Sequence, residues 1–403
     1  MRSGSGARWW RTRSVVAAVI AAMVLVLGAC TVPPVPPARD HLPALPAPMV
    51  VDPATAYADA RLSTMSTRDK AASVLMMHQA GTDPAALARF VAANDLGGVI
   101  LMGDNVTPDP LGVAALTATL HEHAGLPTLV AIDQEGGIVR RIRDDPGASA
   151  STLRGLPATA TRESFAARSS MLEALGVTVN FGIVADVTAD ASSFIAPRVL
   201  GSTAAESAER VAQAVEGEQG AVLSTLKHFP GHGVAPGDSH IGLPATGMPL
   251  EQWRAEHAPP FAAGIDAGAE FVMTGHLVFT AIDPLPATFS PIWHEVLREE
   301  LGFDGIIITD DLAMLHSSGD TRFADPTSNA IAALNAGATM LLFVGGADPA
   351  TVTAGLVAAV DDGRLPVETL DDAAHRLLEV RRGLSEQSGP FIHCSAACLG
   401  LVD

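Results

Sequence analysis

The chain has 403 residues, of which 48% are hydrophobic and 17% charged, too apolar and too sparsely charged for a disordered protein. With 25 Lys and Arg against 44 Asp and Glu, its formal charge is −19. That leaves no basic surplus for nucleic-acid phosphates or for holding an anionic lipid surface by charge alone. Aromatic residues make up 4%, too few for a base-stacking platform, and three cysteines cannot build a disulfide scaffold or a four-cysteine zinc site.

At the N-terminus, Arg2, Arg8, Arg11 and Arg13 precede an uncharged apolar stretch over residues 15–27. Its length suits the core of a signal peptide and is short for a membrane span. The quartet Leu27-Gly28-Ala29-Cys30 resembles a bacterial lipobox, in which the Cys is lipidated and becomes the new N-terminus; the alternative is an ordinary secretion signal with an incidental Cys. We therefore expect a signal peptide over 1–29 and a lipid anchor at Cys30, on the outer face of the cytoplasmic membrane. Acylation at more than one position would hold the protein stably, where a single chain is marginal. Residues 31–48, TVPPVPPARDHLPALPAP, are Pro-rich and extended, so 30–51 reads as a tether. One domain is expected over 52–385, followed by a tail over 386–403 in which Cys394 and Cys398 could pair.

Within that domain, short apolar runs fall at 74–77, 98–102, 128–132, 177–184, 222–228, 271–276, 305–309 and 340–344. Ala-rich helical patterns lie between them, as at 84–93, 111–123, 204–218 and 329–336, and an amphipathic helix at 371–383 closes the series. Alternation of this kind predicts parallel strands with crossover helices, and continuous apolar runs suit strands buried on both faces. Eight such runs fit a single (β/α)8 TIM-like barrel; a doubly wound open sheet is the alternative. The run at 74–77 is ambiguous, because Ser66-Thr67-Arg68-Asp69 just before it reads as a helix start.

Ionisable and polar residues recur immediately after six of these runs: Asp104 and Asn105, Asp133 and Glu135, Asp186, Lys227 and His228, His276, Asp310 and Asp311. In a barrel those ends converge on the face where active sites form. Each alone could be a cap or a loop residue; together they suit a polyhydroxylated ligand held by charge-assisted hydrogen bonds. In the loop after the fifth run, Asp238 and His240 are two apart, so the carboxylate can bond one imidazole nitrogen and raise its basicity. A metal site from His228, His232, Asp238 and His240 is the competing reading of that loop. A carboxylate at the end of a buried strand makes Asp310 a candidate nucleophile, but spacing does not choose between Asp310 and Asp311, one of which could cap the next turn.

These segments resemble family 3 glycoside hydrolases of the β-N-acetylglucosaminidase subgroup. KHFPGHG, four residues, then DSH and IGLP carry the resemblance most specifically; AIDQEGG, GIIITDDLAM, NFGIVADV, FVMTGHLVF and LGGVILMGDN support it, in order over about 66–383. The resemblance implies retaining, two-step hydrolysis of terminal β-linked GlcNAc from peptidoglycan fragments, by a monomer needing no metal or organic cofactor. It assigns Asp310 as nucleophile and the Asp238–His240 dyad as general acid/base, with Asp133, Arg141, Lys227 and His228 binding the sugar. Arg198 matches the family's Arg after the fourth strand, although Ala-Pro-Arg-Val departs from the usual Gly-Asp-Arg-Ser, and Ile138 stands where the family commonly has Arg. An imidazole in place of an acid carboxyl also suggests that phosphate could replace water as acceptor. A sugar-binding lipoprotein without catalysis is the remaining rival.

Overall fold

The structure, a computed structural model, describes residues 52–120, 126–239 and 241–385. The expected signal and tether, Cys30, His240, Cys394 and Cys398 lie outside the described residues.

All eight apolar runs contain strands: β1 Leu75–Met77, β2 Gly98–Leu101, β3 Leu129–Ile132, β4 Val179–Val184, β5 Leu223–Phe229, β6 Phe271–Thr274, β7 Ile306–Thr309 and β8 Leu341–Phe343. They form one parallel sheet in the order β7-β6-β5-β4-β3-β2-β1-β8. The ring closes between β7 and β8, where Ile308 bridges Met340 and the Thr309 N–H donates to the Met340 carbonyl at 3.1 Å. The expected TIM-like barrel is therefore the observed one. Nearly every strand residue is buried, because the barrel interior covers one face and the outer helices cover the other.

The ambiguous first run resolves in favour of a strand. Ser66 does cap a helix: its hydroxyl accepts from the Asp69 N–H, and the Asp69 carboxylate accepts from the Ser66 N–H, at 3.2 and 2.9 Å. That helix spans only Thr67–Ser73. The Val74 carbonyl then accepts from Leu341 N–H at 2.9 Å, so the chain leaves the helix where the ladder with β8 begins.

The scarce aromatics are concentrated behind β5. Phe229 meets Trp253, Phe261 and Trp293 edge to face at 5.3–5.8 Å. Trp253 also donates its indole N–H to the Pro230 carbonyl at 2.7 Å. The root of the KHFPGHG loop is thus held from outside the barrel. Elsewhere, the helix Pro53–Leu62 lies against the closing helix Val367–Gly383, with the Arg382 guanidinium 4.7 Å from the Tyr57 ring centroid.

Candidate active site

The segment after β3 builds one wall of the site. Asp133 sits at the strand's end, and its carboxylate accepts from Lys227 Nζ at 2.9 Å and from Arg141 Nη2 at 2.7 Å. Arg141 can return to Asp133 because the chain doubles back through Gly136 and Gly137, at φ 83° and 64°. A Cβ on Gly136 would come within 2.3 Å of the Arg168 guanidinium. Gln134, fully buried, ties the hairpin shut. Its Oε1 accepts from the Arg141 and Ile142 N–H groups at 2.9 and 3.0 Å, and its Nε2 donates to the Ile142 carbonyl and the Asp145 carboxylate at 2.8 Å. Glu135 points to the other side, where it accepts from Lys227 Nζ at 2.6 Å and from two Arg198 nitrogens at 2.7 and 2.9 Å.

Lys227 and His228 end β5, and the bonds Lys227–His228 and Phe229–Pro230 are both cis. His228 donates from Nδ1 to Asp186 at 2.7 Å, while its Nε2 faces Arg198 Nη2 at 3.3 Å. Asp186 is fully buried and also accepts from the backbone N–H groups of His228 and His232, at 3.2 and 2.5 Å. It therefore fixes both the ring of His228 and the start of the following loop. His232 meets the Ser239 hydroxyl at 2.7 Å through Nε2, and Phe194 packs edge to face on its ring at 4.6 Å.

The two aspartates after β7 have separate tasks. Asp311 caps the helix Leu312–Ser317, accepting from Ala313 N–H at 3.0 Å, and the same oxygen accepts from Val344 N–H beyond β8 at 2.9 Å. Among the described residues, Asp310 accepts only the Asp311 N–H, at 2.8 Å, and it lines the central pocket. Among the described residues, Asp310 forms no ion pair. His276 donates from Nε2 to the Asp311 carbonyl at 2.9 Å and so braces the same turn.

The pocket between these groups has a volume of about 260 Å³. Asp133, Arg141, Arg198, Lys227, His228 and Asp310 line it, so the structure brings together six of the site residues expected from sequence. Met102, Met273 and Met314 supply apolar walls. Asp238 is not in that lining; it borders a neighbouring hollow of about 570 Å³ formed with Thr188, Phe194 and its own loop. Asp104 and Asn105 sit at a strand end as expected but do not line the pocket. Asp104 meets His78 at 3.3 Å, and Asn105 bonds the Met102 N–H and the Gln79 and Gly81 carbonyls within its own loop. Glu135 and Asp186 were visible in sequence only as strand-end acids, and Gln134 not at all; their roles come from partners far along the chain.

Burial works against every charge here, and pairing outweighs it. Burial alone would raise Asp133, but Lys227 and Arg141 hold it at about 2. Asp186 is likewise opposed by burial and held at about 2 by His228 and His232. Burial disfavours the Lys227 ammonium, yet Asp133 and Glu135 push it above its ordinary value. Asp310, also opposed by burial, is lowered by His228, His276, the Asp311 N–H and Lys227, so it is a carboxylate at neutral pH. His232 is different: burial lowers it to about 4, so it is a neutral ring. Among the described residues, no group of three or more His, Cys, Asp or Glu is arranged to hold a metal ion. A ring of paired cations and anions around a carboxylate with no ion pair among the described residues makes Asp310 a candidate nucleophile.

The sequence profile of the glycosyl hydrolase family 3 N-terminal domain matches residues 66–380. The chain belongs to this family. Over 282 residues, this family 3 glycoside hydrolase is 35% identical to a beta-hexosaminidase of Idiomarina loihiensis, an alignment that takes in 66% of the chain and 82% of that relative. A family 3 beta-N-acetylglucosaminidase from Paenibacillus sp. str. FPU-7 shares its structure with a TM-score of 0.74 at 32% identity, covering 83% of this chain and 65% of the Paenibacillus chain. LpqI of M tuberculosis superposes with a TM-score of 0.72 at 29% identity, covering 81% of this chain and 95% of LpqI.

Proposed function

We propose that this glycoside hydrolase is a retaining exo-β-N-acetylhexosaminidase of the cell envelope that removes terminal, non-reducing GlcNAc from peptidoglycan fragments. Relatives named beta-hexosaminidase and beta-N-acetylglucosaminidase support the choice of amino sugar. The observation that supports the mechanism is the Asp310 carboxylate, which forms no ion pair among the described residues and accepts the Asp311 N–H, in a pocket of about 260 Å³, a volume suited to one sugar ring. Asp310 attacks the anomeric carbon, and the glycosidic bond breaks as His240, oriented by Asp238, protonates the leaving oxygen. His240 then takes a proton from water, which attacks the glycosyl-enzyme and releases GlcNAc with Asp310 restored. Most retaining glycosidases use two carboxyl groups; an imidazole with an ordinary pKa of about 6.5 serves the same proton transfer near neutral pH. Lys227, Asp133, Arg141 and His228 hold the sugar hydroxyls, each fixed by a partner behind it.

A lipid on Cys30 and the Pro-rich segment after it would hold the barrel off the outer face of the cytoplasmic membrane; Cys30→Ser should then leave the membrane fraction. Incubation with a fluorinated GlcNAc analogue, followed by peptide mapping, tests the mechanism. The label belongs on Asp310. A label on another residue, or turnover of a chromogenic GlcNAc β-glycoside with no label anywhere, would overturn the assignment.

A further inference from the structure

The main-chain ladder between β3 and β4 ends at the pair Ile132–Asn180, two residues short of Gln134. Beyond that pair the side chain of Asn180 takes the ladder's place. Its Oδ1 accepts the Gln134 N–H and its Nδ2 donates to the Gln134 carbonyl, both at 3.2 Å. Nδ2 also donates to Glu218, the last residue of the helix Ala204–Glu218, at 2.6 Å. All three residues are fully buried. Burial raises Glu218 to about 8, so at neutral pH it is protonated and holds the amide without placing a charge behind the site. Gly182 makes room for this arrangement. It lies two residues along β4, on the same face as Asn180, and a Cβ there would overlap the Asn180 amide.

Asn180 does not line the pocket, but what it holds leads there. Asp133 and Glu135 stand on either side of Gln134, and Lys227 Nζ bridges them at 2.9 and 2.6 Å. Asp133 also holds Arg141. The separation of the two carboxylates is set by the one residue between them, so a shift or tilt of the Gln134 peptide displaces Lys227 and Arg141 together. Two hydrogen bonds from one planar amide fix both the place and the tilt of that residue's main chain. We propose that Asn180 is a positioning residue for the hydrolysis, its amide setting through Gln134 where Lys227 and Arg141 meet the sugar. This rests on the amino-sugar reading above.

The test measures kcat and KM of two variants on a chromogenic GlcNAc β-glycoside, well below the Tm that calorimetry gives for each. Asn180→Asp keeps the acceptor for the Gln134 N–H but turns an oxygen towards the Gln134 carbonyl; the protonated Glu218 can donate to the new carboxylate, so the chain should fold. Gly182→Ala keeps Asn180 itself and drives its amide off Gln134 at the cost of one methyl group. In both, KM should rise about tenfold, inside the ~100-fold that a misplacement of 1 Å can cost. The kcat should stay within about threefold, because Asp310 is carried by β7 across the barrel and only groups that bind the sugar are displaced. An unchanged KM in the folded variants, whatever their Tm, would reduce Asn180 to a structural role and overturn the proposal, as would a loss confined to kcat. If the unaltered protein does not cleave the glycoside, the amino-sugar reading falls and this proposal falls with it. Cleavage by the unaltered protein with KM unmoved in the variants refutes the positioning role alone.

Discussion

Asp310 and Asp311 are adjacent in sequence, and replacing each separately divides chemistry from stability. Asp311→Ala removes a helix cap, at a cost of about 1 kcal/mol, and leaves the Val344 N–H without its acceptor, at about 1–2 kcal/mol more. The sum is about 2–3 kcal/mol. Unfolding entropy of about 2.1 cal/mol/K per residue over roughly 330 residues is about 0.7 kcal/mol/K, so Tm should fall by about 3–4 °C. Its kcat should drop by no more than about a hundredfold, the scale of a small misplacement of the turn that carries Asp310. Asp310→Asn keeps the shape and the acceptor for the Asp311 N–H but cannot form the glycosyl ester. Its kcat should fall by about four orders of magnitude or more, with Tm within about 2 °C. Calorimetry beside initial rates on a chromogenic GlcNAc β-glycoside measures both. Full activity in Asp310→Asn, or a dead Asp311→Ala with unchanged Tm, would refute the division.

Three further outcomes follow from the same geometry. Gln134→Ala breaks four bonds in the hairpin that returns Arg141 to Asp133; KM should rise about tenfold and Tm should drop, and an unchanged KM would mean that Arg141 holds its place without the hairpin. Glu218, fully buried, is raised by that burial to about 8 against an ordinary ~4.3, although the Asn180 amide and Arg168 pull the other way. Its contribution to stability is complete below about pH 4 and is lost as pH rises through about 8, so Glu218→Gln should resist alkaline unfolding better by about 5 kcal/mol at pH 9; parallel stability curves from pH 5 to pH 9 would contradict this. His240→Ala should slow hydrolysis severely for alkyl leaving groups and much less for acidic phenols, which need little protonation, whereas equal losses on both would count against an acid role.

The barrel was legible because most of its strands are short apolar runs with no alternating polar face, although Asn180 interrupts β4 and Ser224 and Thr225 interrupt β5. The helices were less so. Pro53–Leu62 and Thr159–Ala174 mix small, polar and apolar residues without a clean stripe, and they pack against Val367–Gly383 and Ala204–Glu218. Strand-end position marked Asp133, Lys227, His228 and Asp310, all of which line the pocket, yet the same criterion marked Asn105, which is spent on its own loop. Position along the chain places a residue on a face; it does not say which partner claims its side chain. Arg198 and Glu135 are 63 residues apart, and Asp133 and Lys227 are 94 apart, so their pairing exists only once the barrel closes.

That pairing also sets Asp310 apart from Asp133, Glu135 and Asp186 as the proposed nucleophile, while Asp311 is taken up by the Ala313 and Val344 N–H groups. Asp133 is shared between Lys227 and Arg141, Glu135 between Lys227 and Arg198, and Asp186 between His228 and the loop at His232. Lys227, Arg141 and Arg198 are therefore each braced by a carboxylate, which fixes their positions and offsets the cost of burying them. A carboxylate so engaged has its lone pairs occupied and its charge neutralised at contact distance, which makes it a poor nucleophile. Asp310 instead sits in the summed field of these groups, enough to keep it ionised despite burial, with one backbone N–H as its partner. Moving a cation into contact with it, as Met314→Arg on the pocket wall would attempt, should lower reactivity even while lowering its pKa further, because the field that ionises a carboxylate and the contact that quenches it act over different distances.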